Sequence, residues 1–148
     1  MNRLWRSEVT LQGLADGYDR TLVSHLGIEL IELGEDYLRG RMPVDPRTCQ
    51  PMRVLHGGAS VAFAETLASI AAMAVVDSSQ WLCLGQEINA NHLRRVAEGT
   101  SVEGITRPFH LGARSQVWGV EIFDAEGRRC CVSRITLAIV PRASIEGR

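Results

Sequence analysis

From Gly57 to Val76 the chain runs GGASVAFAETLASIAAMAVV, small and apolar throughout, and Glu65 is its only ionisable side chain. A stretch of this length and composition reads as a helix that is apolar all round and therefore covered on most sides. A carboxylate placed inside it costs several kcal/mol unless it is paired, hydrogen-bonded or neutralised, so its presence calls for a cause. Length alone would let the run cross a bilayer. Against that, it is built from Ala, Gly and Ser rather than Leu and Ile, no Trp/Tyr belt brackets it, and the acid lies near its middle, where insertion costs most. The expectation is a helix buried in a soluble protein, with no membrane partner.

The whole chain limits the chemistry further. Its 148 residues make one domain, expected over 1–142, large enough to bury a core without staples. The closing Ile145-Glu146-Gly147-Arg148 matches a protease recognition site used in expression vectors, so residues 143–148 are set aside as a tag remnant. The formal net charge is −1 and the basic residues form no long run, which argues against nucleic acid as a partner. Every one of the 16 basic residues is arginine. Without lysine, Schiff-base chemistry, covalent pyridoxal phosphate and a Walker-type phosphate loop are excluded. Cys49, Cys83, Cys130 and Cys131 show neither CxxC nor zinc-type spacing, so no metal is expected. Reduced cysteines and a start, MNRLWRSEVT, without a secretory apolar core fit a cytoplasmic location.

Along the chain, Thr10 can cap a short helix through about Leu22. Gly27 to Leu33 and Tyr37 to Val44 read as strands, and a loop from Pro46 to Leu55 leads into the long helix. Four alternating runs follow: Trp81 to Asn91, Gly99 to Thr106, Ser115 to Phe123 and Arg128 to Val140. Asp124-Ala125-Glu126-Gly127 joins the last two as a hairpin. Helix, two strands, long helix, four strands predicts an α+β fold with a mainly antiparallel sheet. The three tryptophans, Trp5, Trp81 and Trp118, are expected in the core.

Leu55-His56-Gly57-Gly58 stands where the long helix begins. Glycine there lets a ligand approach the first amide N–H groups, which have no intrahelical partner and suit a developing oxyanion. Turning the chain into a helix would also account for the glycines, and His56 alone could be structural. Glu65 lies eight residues past Gly57, hence about 12 Å along a helix rising about 1.5 Å per residue. The two cannot reach one carbonyl carbon within one chain. If both serve one reaction, the simplest geometry takes Gly57 from one subunit and Glu65 from another. Ser69, one turn beyond Glu65, could hydrogen-bond it or a water.

Gln50-Pro51, Leu55-His56-Gly57-Gly58-Ala59-Ser60, Ala64-Glu65-Thr66-Leu67 and Ser69 together resemble the hot-dog fold acyl-CoA thioesterases, within them the bacterial enterobactin-proofreading and 1,4-dihydroxy-2-naphthoyl-CoA thioesterase group. Further matches run through Asn89-Ala90-Asn91-His92, Pro108-Phe109-His110-Leu111-Gly112 and Gly127-Arg128-Arg129-Cys130-Cys131. The resemblance implies a six-stranded antiparallel sheet wrapped around one long helix, paired into homodimers and commonly into homotetramers. It gives Glu65 the role of nucleophile or general base, Gly57 that of backbone oxyanion donor, and His56 and Gln50 positions flanking the thioester. Ser69 would position water or substrate, His92 would lie near the acyl group, and Phe63 and Met73 would line an acyl pocket. For coenzyme A it implies Gly85, His92, Leu93, Arg94 and Arg95, and His110, Leu111, Gly112, Ala113, Arg114 and Ser115. The expected reaction is hydrolysis of an acyl-CoA, with an aromatic or medium-sized acyl group, or of an acyl or aryl carrier protein thioester, without a cofactor. A hot-dog hydratase or dehydratase and a noncatalytic acyl-CoA binding module remain the alternatives. Arg53 stands where these relatives usually have glycine, so the loop facing the substrate is expected to differ.

Overall fold

The computed structural model describes residues 4–146. Its elements are α1 (Leu11–Ala15), α2 (Leu22–His25), β1 (Glu29–Leu33), β2 (Leu38–Val44), α3 (Gly57–Val75), β3 (Trp81–His92), β4 (Thr100–Leu111), β5 (Ser115–Phe123), β6 (Arg129–Pro141) and α4 (Ala143–Glu146). The six strands form one antiparallel sheet in the order β1-β2-β4-β5-β6-β3, curled around α3. This is the α+β architecture that the resemblance implied.

The sheet can approach α3 closely because two glycines face each other across β2 and β4. A Cβ on Gly40 would lie 2.6 Å from Leu67 Cδ2, and one on Gly104 would lie 2.7 Å from Leu67 Cδ1. Leu67 and Phe63 fill that trough and are fully buried. Phe63 therefore belongs to the core, not to an acyl pocket. Across β5, Trp118 stacks on Trp5 with ring centroids 6.2 Å apart.

Although α3 is long and apolar enough to span a membrane, it is the core helix of this domain, with the sheet packed against it. Its cover is incomplete. Ala62, Glu65, Thr66, Ser69 and Met73 keep a half-buried stripe along one side, in keeping with a helix covered on most sides.

Two boundaries and the burial of one tryptophan differ from the sequence reading. The helix expected from Thr10 to Leu22 is two short helices: Thr10 does cap the first, accepting the Gly13 N–H at 3.1 Å, but Gly17 and Arg20 adopt φ of +86° and +57° and break it. β4 continues past Thr106 to Leu111 despite Pro108. Its pairing with β2 stops at Thr106, so Pro108 lies where β4 has a neighbour only in β5, and the missing N–H is tolerated at an open edge. Trp81, at the start of β3, is 38% exposed rather than core.

The β5–β6 hairpin follows expectation, with Gly127 at φ +75°. Asp124 organises it, accepting the N–H groups of Glu126 and Arg128 and the Arg128 guanidinium. Burial pushes its carboxyl up, but these bonds outweigh it and hold the acid below the usual aspartate range.

Candidate active site

The loop before α3 and the end of β3 enclose a cleft of about 340 Å³. Gln50, Gly57, His92, Leu93, Arg94 and Arg95 line it, together with Ser60 and Cys130, which the sequence reading had not singled out as site residues. Edge strand β3 delivers His92 to the helix entry, where its Nε2 lies 2.9 Å from the place of a Cβ on Gly57. Only glycine leaves room for this contact.

The first turn of α3 is wired so that one amide is left over. His56 caps the helix through Nδ1, which accepts the Gly58 N–H at 2.8 Å. The Ala59 and Ser60 N–H groups both bond the His56 carbonyl, at 3.0 and 3.2 Å. Among the described residues the Gly57 N–H has no partner, and the positive end of the helix dipole reinforces it. Because Nδ1 accepts, the ring proton of neutral His56 resides on Nε2, a second donor. Gln50 Oε1 accepts the Met52 N–H at 2.7 Å, which leaves the Gln50 amide NH₂ as a third. Such a set of donors suits an oxyanion or a departing thiolate.

Arg53 closes the turn of the loop that carries Gln50, its N–H donating to the Gln50 carbonyl at 2.9 Å. That residue holds φ at +58°, the left-handed region that favours glycine, at a cost of about 1–2 kcal/mol. Two contacts with Glu98 hold it: the Arg53 guanidinium pairs with the Glu98 carboxylate, and the Arg53 carbonyl accepts the Glu98 N–H at 3.2 Å.

Among the described residues no carboxylate lines the cleft. Glu65 lies farther along α3, where its Oε1 would stand 2.4 Å from a Cβ on Gly85. Gly85 is therefore the floor under the acid. Ser69 shares the half-buried stripe with Glu65. The sequence-predicted residues thus fall into two groups, donors with His92 to Arg95 at one end of β3, and Glu65, Ser69 and Gly85 at the other.

His110 to Ser115 belong with the second group. The β4–β5 turn carries them beside the end of β6, where Ser115 pairs with Ala138, next to the Leu137 that pairs with Gly85. His92, by contrast, pairs with Cys131, seven positions back along β6. The His110 ring folds over Gly112, 2.7 Å from where a Cβ would be, and Leu111, Ala113 and Arg114 are exposed.

Cys130 contributes no nucleophile. Burial, with smaller effects from Cys131 and Asp124, pushes its thiol up to about 11, and it donates to the Ile122 carbonyl at 3.3 Å. Arg94 and Arg95 have no ion-pair partner among the described residues and are exposed at the cleft mouth, free to meet phosphate. Among the described residues no cluster of three or more His, Cys, Asp or Glu could hold a metal.

Comparison with known proteins gives a consistent picture. The family model described as Thioesterase superfamily matches residues 52–131. The proofreading thioesterase EntH of Cronobacter turicensis is 47% identical over 93% of this chain and 98% of its own length. The 1,4-dihydroxy-2-naphthoyl-CoA hydrolase of Escherichia coli is 46% identical over 93% and 99%. Among solved structures, a variant of a Pseudomonas aeruginosa thioesterase superposes with a TM-score of 0.90 at 40% identity, covering 93% of this chain and 99% of that one. A Haemophilus influenzae thioesterase gives 0.88 at 45% identity, covering 93% and 95%.

Proposed function

The chain belongs to the thioesterase superfamily and hydrolyses acyl-CoA thioesters, and from that premise we propose that each of its active sites is assembled by two subunits. One observation carries this: the cleft offers donors without a carboxylate, while the acid stands over Gly85 at the other end of β3. β3 supplies the means of joining them. It is a 12-residue strand at the sheet edge, with Leu84 42% exposed, the kind of edge that seeks a partner. Antiparallel pairing of two copies about a two-fold axis near Ile88 and Asn89 sets Gly85 of one chain opposite His92 of the other. Glu65 then faces the partner's donors. The exposed β4–β5 turn travels with it, bringing His110 to Ser115, and Arg114 in particular, toward the partner's Arg94 and Arg95. Phe109, 70% exposed on the outer sheet face, marks where two dimers would meet as a tetramer.

In this site the thioester carbonyl oxygen accepts from the Gly57 N–H and the Gln50 amide. Glu65 attacks the carbonyl carbon directly or removes a proton from the attacking water, with Ser69 positioning that water. His56 Nε2–H stabilises the departing thiolate of coenzyme A, whose phosphates lie on Arg94, Arg95 and Arg114. The acyl group is aromatic. The named substrate of the E. coli relative carries a hydroxyl on the ring carbon next to the acyl-bearing one, and we extend that class to this chain. Four free cysteines fit a reducing cytoplasm.

Thiol release from a panel of aryl and aliphatic acyl-CoAs tests the reading, run beside the same acyl groups on a carrier protein. Aryl-CoAs are expected to give the highest kcat/KM. Faster release from the carrier would make the carrier the substrate, and loss of enoyl absorbance from crotonyl-CoA without thiol would replace hydrolysis by hydration.

A further inference from the structure

Ser60 is a largely buried residue whose hydroxyl opens into the substrate cleft with no protein group among the described residues to bond. It is only 3% exposed, yet it lines the cleft between Gly57 and His92, and its hydroxyl has no hydrogen-bond partner among the described residues. The usual outlet for a helical serine, the carbonyl four residues back, belongs here to His56 and already accepts two N–H groups. A ligand that fills the cleft strips solvent from this hydroxyl, and leaving it unpaired then would cost about 1–3 kcal/mol, so a substrate that offers it a hydrogen bond is favoured over one that does not.

Geometry indicates which part of the ligand that is. Ser60 lies one turn beyond Gly57 on the same face of α3, about 5–6 Å away by the spacing of helix neighbours. The arginines mark the exposed mouth of the cleft and Ser60 its buried side, so a group bound at Gly57 has coenzyme A outward and the acyl chain toward Ser60. In an aryl thioester, the atom just past the carbonyl on that side is a substituent on the neighbouring ring carbon. We propose that Ser60 is a specificity residue that hydrogen-bonds a hydroxyl ortho to the thioester. This rests on the aryl-CoA reading above. The phenol can donate to the thioester carbonyl and accept from Ser60, extending the donor set around the Gly57 N–H.

The test compares salicyloyl-CoA with benzoyl-CoA, substrates that differ by that hydroxyl alone. The ratio of their kcat/KM values is expected to favour salicyloyl-CoA in the wild-type enzyme and to fall about tenfold in Ser60→Ala, the loss of one neutral hydrogen bond. Ser60→Thr, which keeps the hydroxyl, is expected to restore most of it. Alanine is a better helix former than serine, so the fold should persist. A ratio unchanged in Ser60→Ala, with both aryl-CoAs hydrolysed, overturns the role of Ser60 and leaves the aryl thioesterase standing. A wild-type enzyme that hydrolyses aliphatic acyl-CoAs and neither aryl-CoA overturns both.

Discussion

Glu65→Ala is expected to lower kcat at least about 100-fold while the protein stays folded, because a positioned base or nucleophile contributes on that scale. The acid is half-buried beside the floor of β3, and alanine is a good helix former, so removing the carboxylate from α3 should leave the helix intact. KM should change little, since the carboxylate acts on the reacting carbon and not on coenzyme A. Steady-state thiol release, with circular dichroism as the folding check, reads both. Near-normal turnover would remove Glu65 from the mechanism.

Gly85→Ala is expected to cost nearly as much by a different route. A methyl group there would stand 2.4 Å from Glu65 Oε1, closer than real contacts allow. What must give way is the far end of a flexible side chain, so the fold adjusts at little expense while the acid moves by about 1 Å, and a misplacement of that size can cost about 100-fold. The signature is a large fall in kcat with a thermal midpoint within a few degrees of the wild-type value. A fully active Gly85→Ala enzyme would show that the acid need not rest on β3.

These two effects show where the sequence was readable and where it was not. The isolated Glu65 in an apolar run, the Gly57-Gly58 helix entry and their separation along one helix were all visible in the letters. They pointed to a site split between chains. Strand periodicity located β3, β5 and β6 closely, because alternation survives in a half-buried sheet.

What was hidden depended on tertiary neighbours. Gly40 and Gly104 look like unremarkable strand glycines until their pairing places both against Leu67. Nothing in the local sequence of Gly85 reveals the carboxylate lying over it. β4 was expected to end at Thr106, and only the strand order shows that it runs on past Pro108, which stands where β2 has already stopped. Ser60 belonged to a recognisable motif, yet its lack of a partner follows from the His56 carbonyl being occupied, a three-dimensional fact. Arg53 carried a readable signal: a non-glycine residue at a glycine position proves to sit at φ +58°.

The shared site has a direct test in mixed dimers. One chain carries Glu65→Ala and the other Gln50→Ala with His56→Ala, and each is nearly inactive alone. Unfolding them together and refolding pairs them at random, so half the dimers are mixed. In each mixed dimer the intact donors of the first chain face the intact Glu65 of the second, restoring one site of two. About a quarter of wild-type thiol release should therefore return. A mixture that stays as inactive as its parents, with mixed dimers demonstrated by mass spectrometry, would mean that donors and acid work within one chain.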